Sequence, residues 1–359
     1  MIKKLLTLLL LFLIGCDPGP LDYQLLIERD GVHYRKKTNE IYSGPVFNIN
    51  GISEATLKEG KFDGPFKSYY KDGKLKEERT YKDGLVDGPF KSYRENGELK
   101  EEATFKNGEP DGVYKLYYKQ FSENANLEYI KSRKSLLKEE QIYKDGILHG
   151  PWKSYVDFPG CQRFVDGKLK TFRLRSEKIY KDGEEISEKK YECGSKVKNT
   201  TLVSEKTYKN GQQDGPYTIW KGPNIIEEGT YVNGEHTGIV KRYKWGEPVE
   251  DVTLRNSIKD GPHIIYFEKG QYSVYDRGSY DFLTIKGGII KKELLFKNGK
   301  PNGPWKTYYA NGLLEKEETW KDGKLDGPYK TYYANGKLQS SYIYKNDKRI
   351  EVILDYKRY

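Results

Sequence analysis

Short runs of alternating apolar and polar residues, cut by Asp-Gly, Asn-Gly and Gly-Pro steps, fill the chain from about residue 41 onward. Alternation with a period of two predicts half-buried strands, and the dipeptides between the runs predict hairpin turns. One unit opens at Gly64-Pro65-Phe66-Lys67-Ser68-Tyr69-Tyr70, turns at Asp72-Gly73 and returns to Tyr81. The unit recurs, with leading glycines at Gly64, Gly88, Gly112, Gly150, Gly215, Gly238, Gly261, Gly303 and Gly327. The spacing is 24 in clean stretches and 23 from Gly215 to Gly261. It widens to 38 after Gly112 and to 42 after Gly261, where surplus residues lie near 119–133 and 269–288. This pattern predicts an all-β protein. Its expected form is an elongated open antiparallel sheet of stacked β-hairpin repeats, about ten or eleven units of roughly 24 residues.

Within each unit, Asp72-Gly73, Asn96-Gly97, Asn311-Gly312 and Asn335-Gly336 have the composition of type I′ turns. A two-residue turn there sets Tyr70 opposite Leu75 and Lys67 opposite Glu78; the same rule pairs Lys91 with Glu102 and Lys306 with Glu317. A Glu three residues before the second-strand aromatic recurs at Glu78, Glu102, Glu140, Glu177, Glu205, Glu228, Glu293 and Glu317. The first reading is a cross-strand ion-pair ladder, each pair contributing about 0.2–1 kcal/mol. The second is a ligand-binding stripe.

Aromatics recur in two stripes. One is Tyr69, Tyr93, Tyr117, Tyr155, Trp220, Tyr243, Tyr266, Tyr308 and Tyr332; the other is Phe66, Phe90, Tyr114, Trp152, Tyr217, Trp305 and Tyr329. A three-residue offset places them on opposite faces of a regular strand. Packing between neighbouring hairpins is the first reading of both stripes. A binding groove on the Tyr69 stripe is the second.

Composition agrees with an aromatic rather than an aliphatic core. Of 359 residues, 36% are hydrophobic, yet 14% are aromatic, with 32 Tyr and one Met. That disfavours a helical bundle or a multi-span membrane protein. The N-terminus differs. Lys3 and Lys4 precede the apolar run Leu5–Ile14 and then Gly15-Cys16, the layout of a signal peptide. The run is ten residues long, nine of them apolar, too few to span a bilayer. Leu13-Ile14-Gly15-Cys16 resembles the lipobox of bacterial lipoproteins. The resemblance implies removal of 1–15, lipidation of Cys16 and anchoring to membrane lipid in the cell envelope, with 16–40 as a tether. The net charge of +10 is spread along the chain rather than gathered in blocks, so no nucleic-acid partner is expected.

The repeat itself resembles the variant MORN repeat of the YwqK-type family, whose members are often labelled toxin–antitoxin antitoxins. The aromatic-Lys-Asp/Asn-Gly turn, the Gly-Pro-aromatic-Lys step, the Tyr-Tyr pair and the Glu before the next aromatic carry the likeness over roughly 41–347. It implies an open sheet of hairpins that serves as a scaffold for protein–protein or surface interaction and is not an enzyme. An immunity role against an envelope toxin and cell-wall glycan binding are the alternatives. The expected organisation is repeats over 41–150, a degenerate stretch over 151–214, repeats over 215–347 and a tail or cap over 348–359. Cys161 and Cys193, both in the degenerate stretch, are candidates for one disulfide in an exported chain. His33, His149, His236 and His263 lack metal-ligand spacing, and no nucleophile elbow, phosphate loop or dinucleotide fingerprint occurs. No metal or cofactor is expected. Inserted loops on repeat proteins often form the binding side.

Overall fold

The computed structural model describes residues 19–49, 51, 53–118, 137–156, 163–165, 168–171, 173–193, 200–276 and 279–355. Among them there is no α-helix, and a short 3-10 turn at Tyr23–Leu25 is the single helical element. The chain divides into two compact units, up to Ile147 and from Leu148 onward. Each unit is an open sheet whose strands follow in chain order and pair antiparallel with their sequence neighbours. The exception is Leu21–Asp22, which runs parallel to Gly44–Phe47. Such a sheet buries area only between adjacent hairpins, the energetics of a repeat protein. Among the described residues, the first strands of the first unit are Gly44–Phe47, Gly64–Tyr69, Leu85–Tyr93 and Gly112–Tyr117. Those of the second unit are Gly150–Val156, Glu184–Cys193, Gln212–Lys221, Gly238–Lys244, Ile258–Tyr266, Gly303–Tyr308 and Lys324–Tyr332. The repeat sheet expected from the sequence is therefore the observed architecture.

The two turns of each repeat are built differently. Between repeats, Asp83 (φ 51°) and Gly84 (φ 91°) are both left-handed, which defines a type I′ turn. Here the Gly84 amide donates to the Phe62 carbonyl of the preceding turn at 2.8 Å, and Gly108 donates likewise to Val86 at 2.8 Å. Within a repeat, Tyr70 N–H donates to the Lys74 carbonyl and Gly73 N–H to the Tyr70 carbonyl, at 2.8 and 2.9 Å. Only Gly73 is left-handed there, so the loop is three residues long and closes with a glycine bulge. The same bonds recur at Asn96-Gly97, Asn311-Gly312 and Asn335-Gly336. The expected type I′ assignment at these four places is therefore corrected. Asp and Asn are favoured there for another reason: the Asp72 and Asn96 side chains accept the amide two residues on.

The longer loop changes the register locally. Tyr69, not Tyr70, lies opposite Leu75, and a shift between Ser68 and Tyr69 restores the expected Lys67–Glu78 pairing. Lys91–Glu102 and Lys306–Glu317 pair as expected. Loop length also explains the change in period. The repeats spaced by 23 turn through two residues, between Lys221 and Asn224 and between Lys244 and Glu247.

The Asp-Gly step before each first strand makes a second irregularity. Partners jump from Tyr81–Val86 to Arg79–Phe90 across Asp87-Gly88. Gly88 sits there at φ 118°, with the Thr80 side chain 3.3 Å from where a Cβ would stand. The Asp87 carboxylate accepts the Asn107 amide of the next turn at 3.2 Å. The strand Glu184–Cys193 lacks this glycine, and its register shifts by one residue between Ile179 and Tyr180. The described strands Arg173–Lys181, Glu184–Cys193 and Thr200–Lys209 thus stay in the sheet with a smaller bulge, while Arg163–Val165 and Lys168–Thr171 pair as a separate two-stranded sheet.

The segment expected as a tether is folded from residue 21 onward. Leu26, Tyr42, Val46, Ile49, Ala55, Leu57 and Phe66 form one buried cluster. His33, 3% exposed, ties it together. Its Nδ1 lies 2.7 Å from the Gly60 carbonyl and its Nε2 2.6 Å from the Tyr23 hydroxyl. At the other end, Lys348–Asp355 is a strand paired with Leu338–Lys345. The surplus at 269–288 is a hairpin, Gly270–Asp276 with Ser279–Ile285. The insertion near 119–133 lies outside the described residues.

Candidate interaction faces

Alternation along the strands gives each sheet two chemically distinct faces. The first carries the Lys/Glu pairs and the Tyr69 stripe. Here six of its tyrosines reach back to the carboxylate fifteen residues earlier. Tyr93 donates to Glu78 at 2.9 Å, Tyr117 to Glu102 at 2.7 Å, and Tyr69 to Glu54. In the second unit Tyr243 donates to Glu228 at 2.7 Å, Tyr266 to Asp251 at 3.1 Å and Tyr308 to Glu293 at 2.6 Å. The interval is constant because it crosses only the type I′ turn, so neither loop length nor insertions alter it. Lysines complete the row, with Lys115 3.3 Å from Glu102 and Lys189 3.0 Å from Glu205.

The ladder shifts the phenols upward. For Tyr93, burial comes first, followed by the Glu78 bond; together they raise its pKa to about 12. Tyr243 and Tyr308 are raised to about 12 by the same pair of causes. At Tyr69 the Glu54 bond is the larger cause, again to about 12. Tyr117 and Tyr266 are raised chiefly by burial. Tyr332 is raised by burial and by the nearby Glu317 charge. Tyr155 lies opposite Leu174 and Trp220 opposite Ile225, both half-buried. The proposed stripe is therefore real as a row. The hydroxyls of Tyr69, Tyr93, Tyr117, Tyr243, Tyr266 and Tyr308 are directed to neighbouring carboxylates within the sheet. The repeated Tyr–Glu interval was visible in the sequence, but its meaning was not.

The second face holds the other stripe. Phe66 packs on Tyr81, Phe90 on Phe105, Tyr114 on Tyr143 and Trp152 on Tyr180, with centroids 5.7–6.0 Å apart. Trp305 lies 4.9 Å from Trp320 and 5.4 Å from Phe296. Edge-to-face and tilted pairs at these separations suit the ring quadrupole. Arg79 inserts between repeats, 5.1 Å from the Phe66 ring and 5.7 Å from Phe90. One stretch of this face has a charged core. Arg242 bridges Glu227 at 2.9 Å and Glu250 at 2.5 Å, and His263 Nε2 lies 2.6 Å from Glu250. Burial raises the Glu250 pKa, but bonds from Arg242 and His263 outweigh it and leave the group lowered. Burial lowers that of His263. Tyr217, 4% exposed, donates to Glu227 at 2.8 Å and stacks on His236. Its ring fits because position 229 is glycine: a Cβ there would lie 2.9 Å from Tyr217 Cε1.

Among the described residues no cluster of His, Cys, Asp and Glu is arranged to hold a metal. His149 takes the position of the turn Asp and lies 3.3 Å from Asp182. Cys16 and Cys161 lie outside the described residues, as does the side chain of Cys193. No helix among the described residues is long and apolar enough to cross a membrane.

A family model described as a MORN repeat variant matches the chain at residues 62–83, 86–107, 301–322 and 325–346. Each of these segments spans the first strand of a hairpin, its three-residue turn and its second strand. The chain is thus a repeat protein carrying MORN-variant units at these four places. No curated protein matches the chain. A solved structure, the crystal structure of TcdB2-TccC3 without its hypervariable C-terminal region, is similar at 10% identity with a TM-score of 0.14. The match covers 89% of this chain and 20% of that one, so this chain spans about a fifth of its length.

Proposed function

We propose that this protein is a membrane-anchored lipoprotein whose MORN-variant repeats act as a non-enzymatic scaffold for protein–protein interaction in the bacterial envelope. The observation that supports the reading is the Tyr–Glu ladder, which ties one hairpin to the one before it at Tyr93, Tyr117, Tyr243 and Tyr308. A lattice held in this way presents side chains at fixed intervals, and rigid display lowers the entropy cost of binding. The leader Lys3–Cys16 supports the anchor, with Cys16 as the lipidated residue. Several acyl chains on one cysteine hold a protein stably where a single chain does not.

The test has two readouts in the protein's own cells. Incorporation of labelled palmitate and recovery in the membrane fraction are expected for the natural chain and lost in Cys16→Ala. Crosslinking followed by affinity purification is expected to return one dominant protein partner from the natural chain only. Unchanged palmitate labelling in Cys16→Ala would sink the anchor. A partner that is a toxin would replace the scaffold role with an immunity role.

A further inference from the structure

The surplus at 269–288 is a built element whose two sides differ. Strands Gly270–Asp276 and Ser279–Ile285 pair in strict register, so paired residues share a side. One side seats the hairpin. Val274 and Ile285 are 5% and 2% exposed and cluster with Phe267, Ala310 and Ala334. Ala310 and Ala334 stand in turns where other repeats carry Lys71 and Glu95, so the small side chains leave room for it. At its base, Glu268 bonds Lys244 at 2.5 Å, and the Tyr272 hydroxyl donates to the Glu268 carbonyl at 3.0 Å.

The opposite side faces solvent. It presents the pairs Tyr275–Tyr280, Ser273–Phe282 and Gln271–Thr284. Tyr275, Tyr280 and Phe282 are 55%, 63% and 77% exposed, and Phe282 is the most exposed large hydrophobic residue among those described. The two tyrosine rings lie 5.0 Å apart, tilted by 48°. The six residues carry no formal charge. Lys269 and Lys286 lie beyond the Gln271–Thr284 pair, Arg277 lies in the turn outside the described residues, and Asp281 lies on the seated side. Each ring therefore stands beside a hydroxyl or an amide.

We infer that this side of the hairpin is a binding site for an uncharged polysaccharide, with Tyr275, Tyr280 and Phe282 as the stacking platform. Sugar C–H groups carry slight positive charge and seat on the negative face of an aromatic ring. Gln271, Ser273 and Thr284 are placed to exchange hydrogen bonds with the sugar hydroxyls and fix orientation. A charge-free centre matches a neutral polyol. An anionic lipid or acidic protein surface would call for cations among the rings, and the six described side chains of this side supply none. The inference does not rest on the lipid anchor or on a protein partner, and its failure would leave both untouched.

The test uses the full chain in detergent and defined probes: insoluble chitin and cellulose for co-sedimentation, with N-acetylglucosamine hexamer and cellohexaose for calorimetry. Binding to at least one is expected, weakened about tenfold by Phe282→Ala and further by Tyr280→Ala. It should be unchanged by Tyr93→Phe, a ladder residue of the first unit. Raising salt from about 0.1 M to about 0.5 M should leave it intact. Failure to bind every probe overturns the assignment, as does binding that survives the double substitution. Binding to vesicles of phosphatidylethanolamine and phosphatidylglycerol that falls with salt and is lost in Phe282→Ala would reassign the platform to a lipid surface.

Discussion

The Tyr93 hydroxyl donates to Glu78 at 2.9 Å, and Glu78 stands between Lys67 and Lys91 on the flanking strands. The bond thus ties the first strand of one repeat to the second strand of the repeat before it. The arrangement makes each repeat's stability depend on its predecessor, the nearest-neighbour coupling of a repeat protein.

Removing one rung should have a measurable but local cost. Tyr93→Phe is expected to destabilise by about 1 kcal/mol, the net worth of one hydrogen bond. Chemical denaturation reads the change. In a double-mutant cycle, Tyr93→Phe with Glu78→Ala should be less than additive, since both act on the same bond. Strict additivity would show that the bond does not form.

The ladder also sets an alkaline limit. Tyr93, Tyr243 and Tyr308 are raised to about 12 in the fold, above the ordinary phenol value of 10.0. Raised values mean that the folded state holds its protons longer. The stabilisation is full below pH 10 and is lost as pH rises toward about 12. Ultraviolet titration should show phenolate appearing late and together with unfolding. A single phenolate transition near pH 10 in a folded chain would refute this.

Acid acts at the charged core on the other face. Glu250 is lowered by Arg242 and His263 despite burial, and His263 is lowered by burial. A lowered histidine favours folding above pH 6.5 and loses that contribution as pH falls through and below it. A lowered carboxylate adds stability above 4.5, lost as pH falls further. Both slopes have the same sign, so the second unit should weaken on acidification. His263→Phe should flatten the part of the stability profile around pH 6, measured by thermal melts across pH.

Trp245 stands at φ 55° in the two-residue turn of its hairpin, followed by Gly246 at φ 83°, and is 68% exposed. A bulky residue in that region stores strain of about 1–3 kcal/mol. Trp245→Asn should raise stability by about 1 kcal/mol. A lower melting temperature would mean that the indole, with Lys244 4.8 Å above it, contributes more than the strain costs.

Gly229→Ala should be costly for a different reason. The new methyl would press on the Tyr217 ring at 2.9 Å. Overpacking of this kind costs about 1–3 kcal/mol. Adding Tyr217→Ala should cancel part of the Gly229→Ala effect, and independence of the two would refute the contact.

Much of this molecule was legible before any coordinates. Alternation, Gly-Pro steps and turn dipeptides are local signals, and they set the hairpins, their number, the opposite faces of the two aromatic stripes and the Lys67–Glu78 register. What they could not distinguish was one Asp-Gly from another. Asp72-Gly73 and Asp83-Gly84 read alike, yet only the second is type I′, because stacking of successive turns through Gly84 to Phe62 selects it. Burial decided the rest. His33 and Leu26 belong to a folded N-terminal cluster because Tyr42, Val46 and Leu57 are there to cover them. The inserted hairpin shows Tyr275, Tyr280 and Phe282 to solvent because Val274 and Ile285 found small alanines in the turns of later repeats. Periodicity belongs to neighbours along the chain, and the sequence carries it in full. Which side of an element is covered depends on atoms brought together from far apart, and only the tertiary structure supplies those.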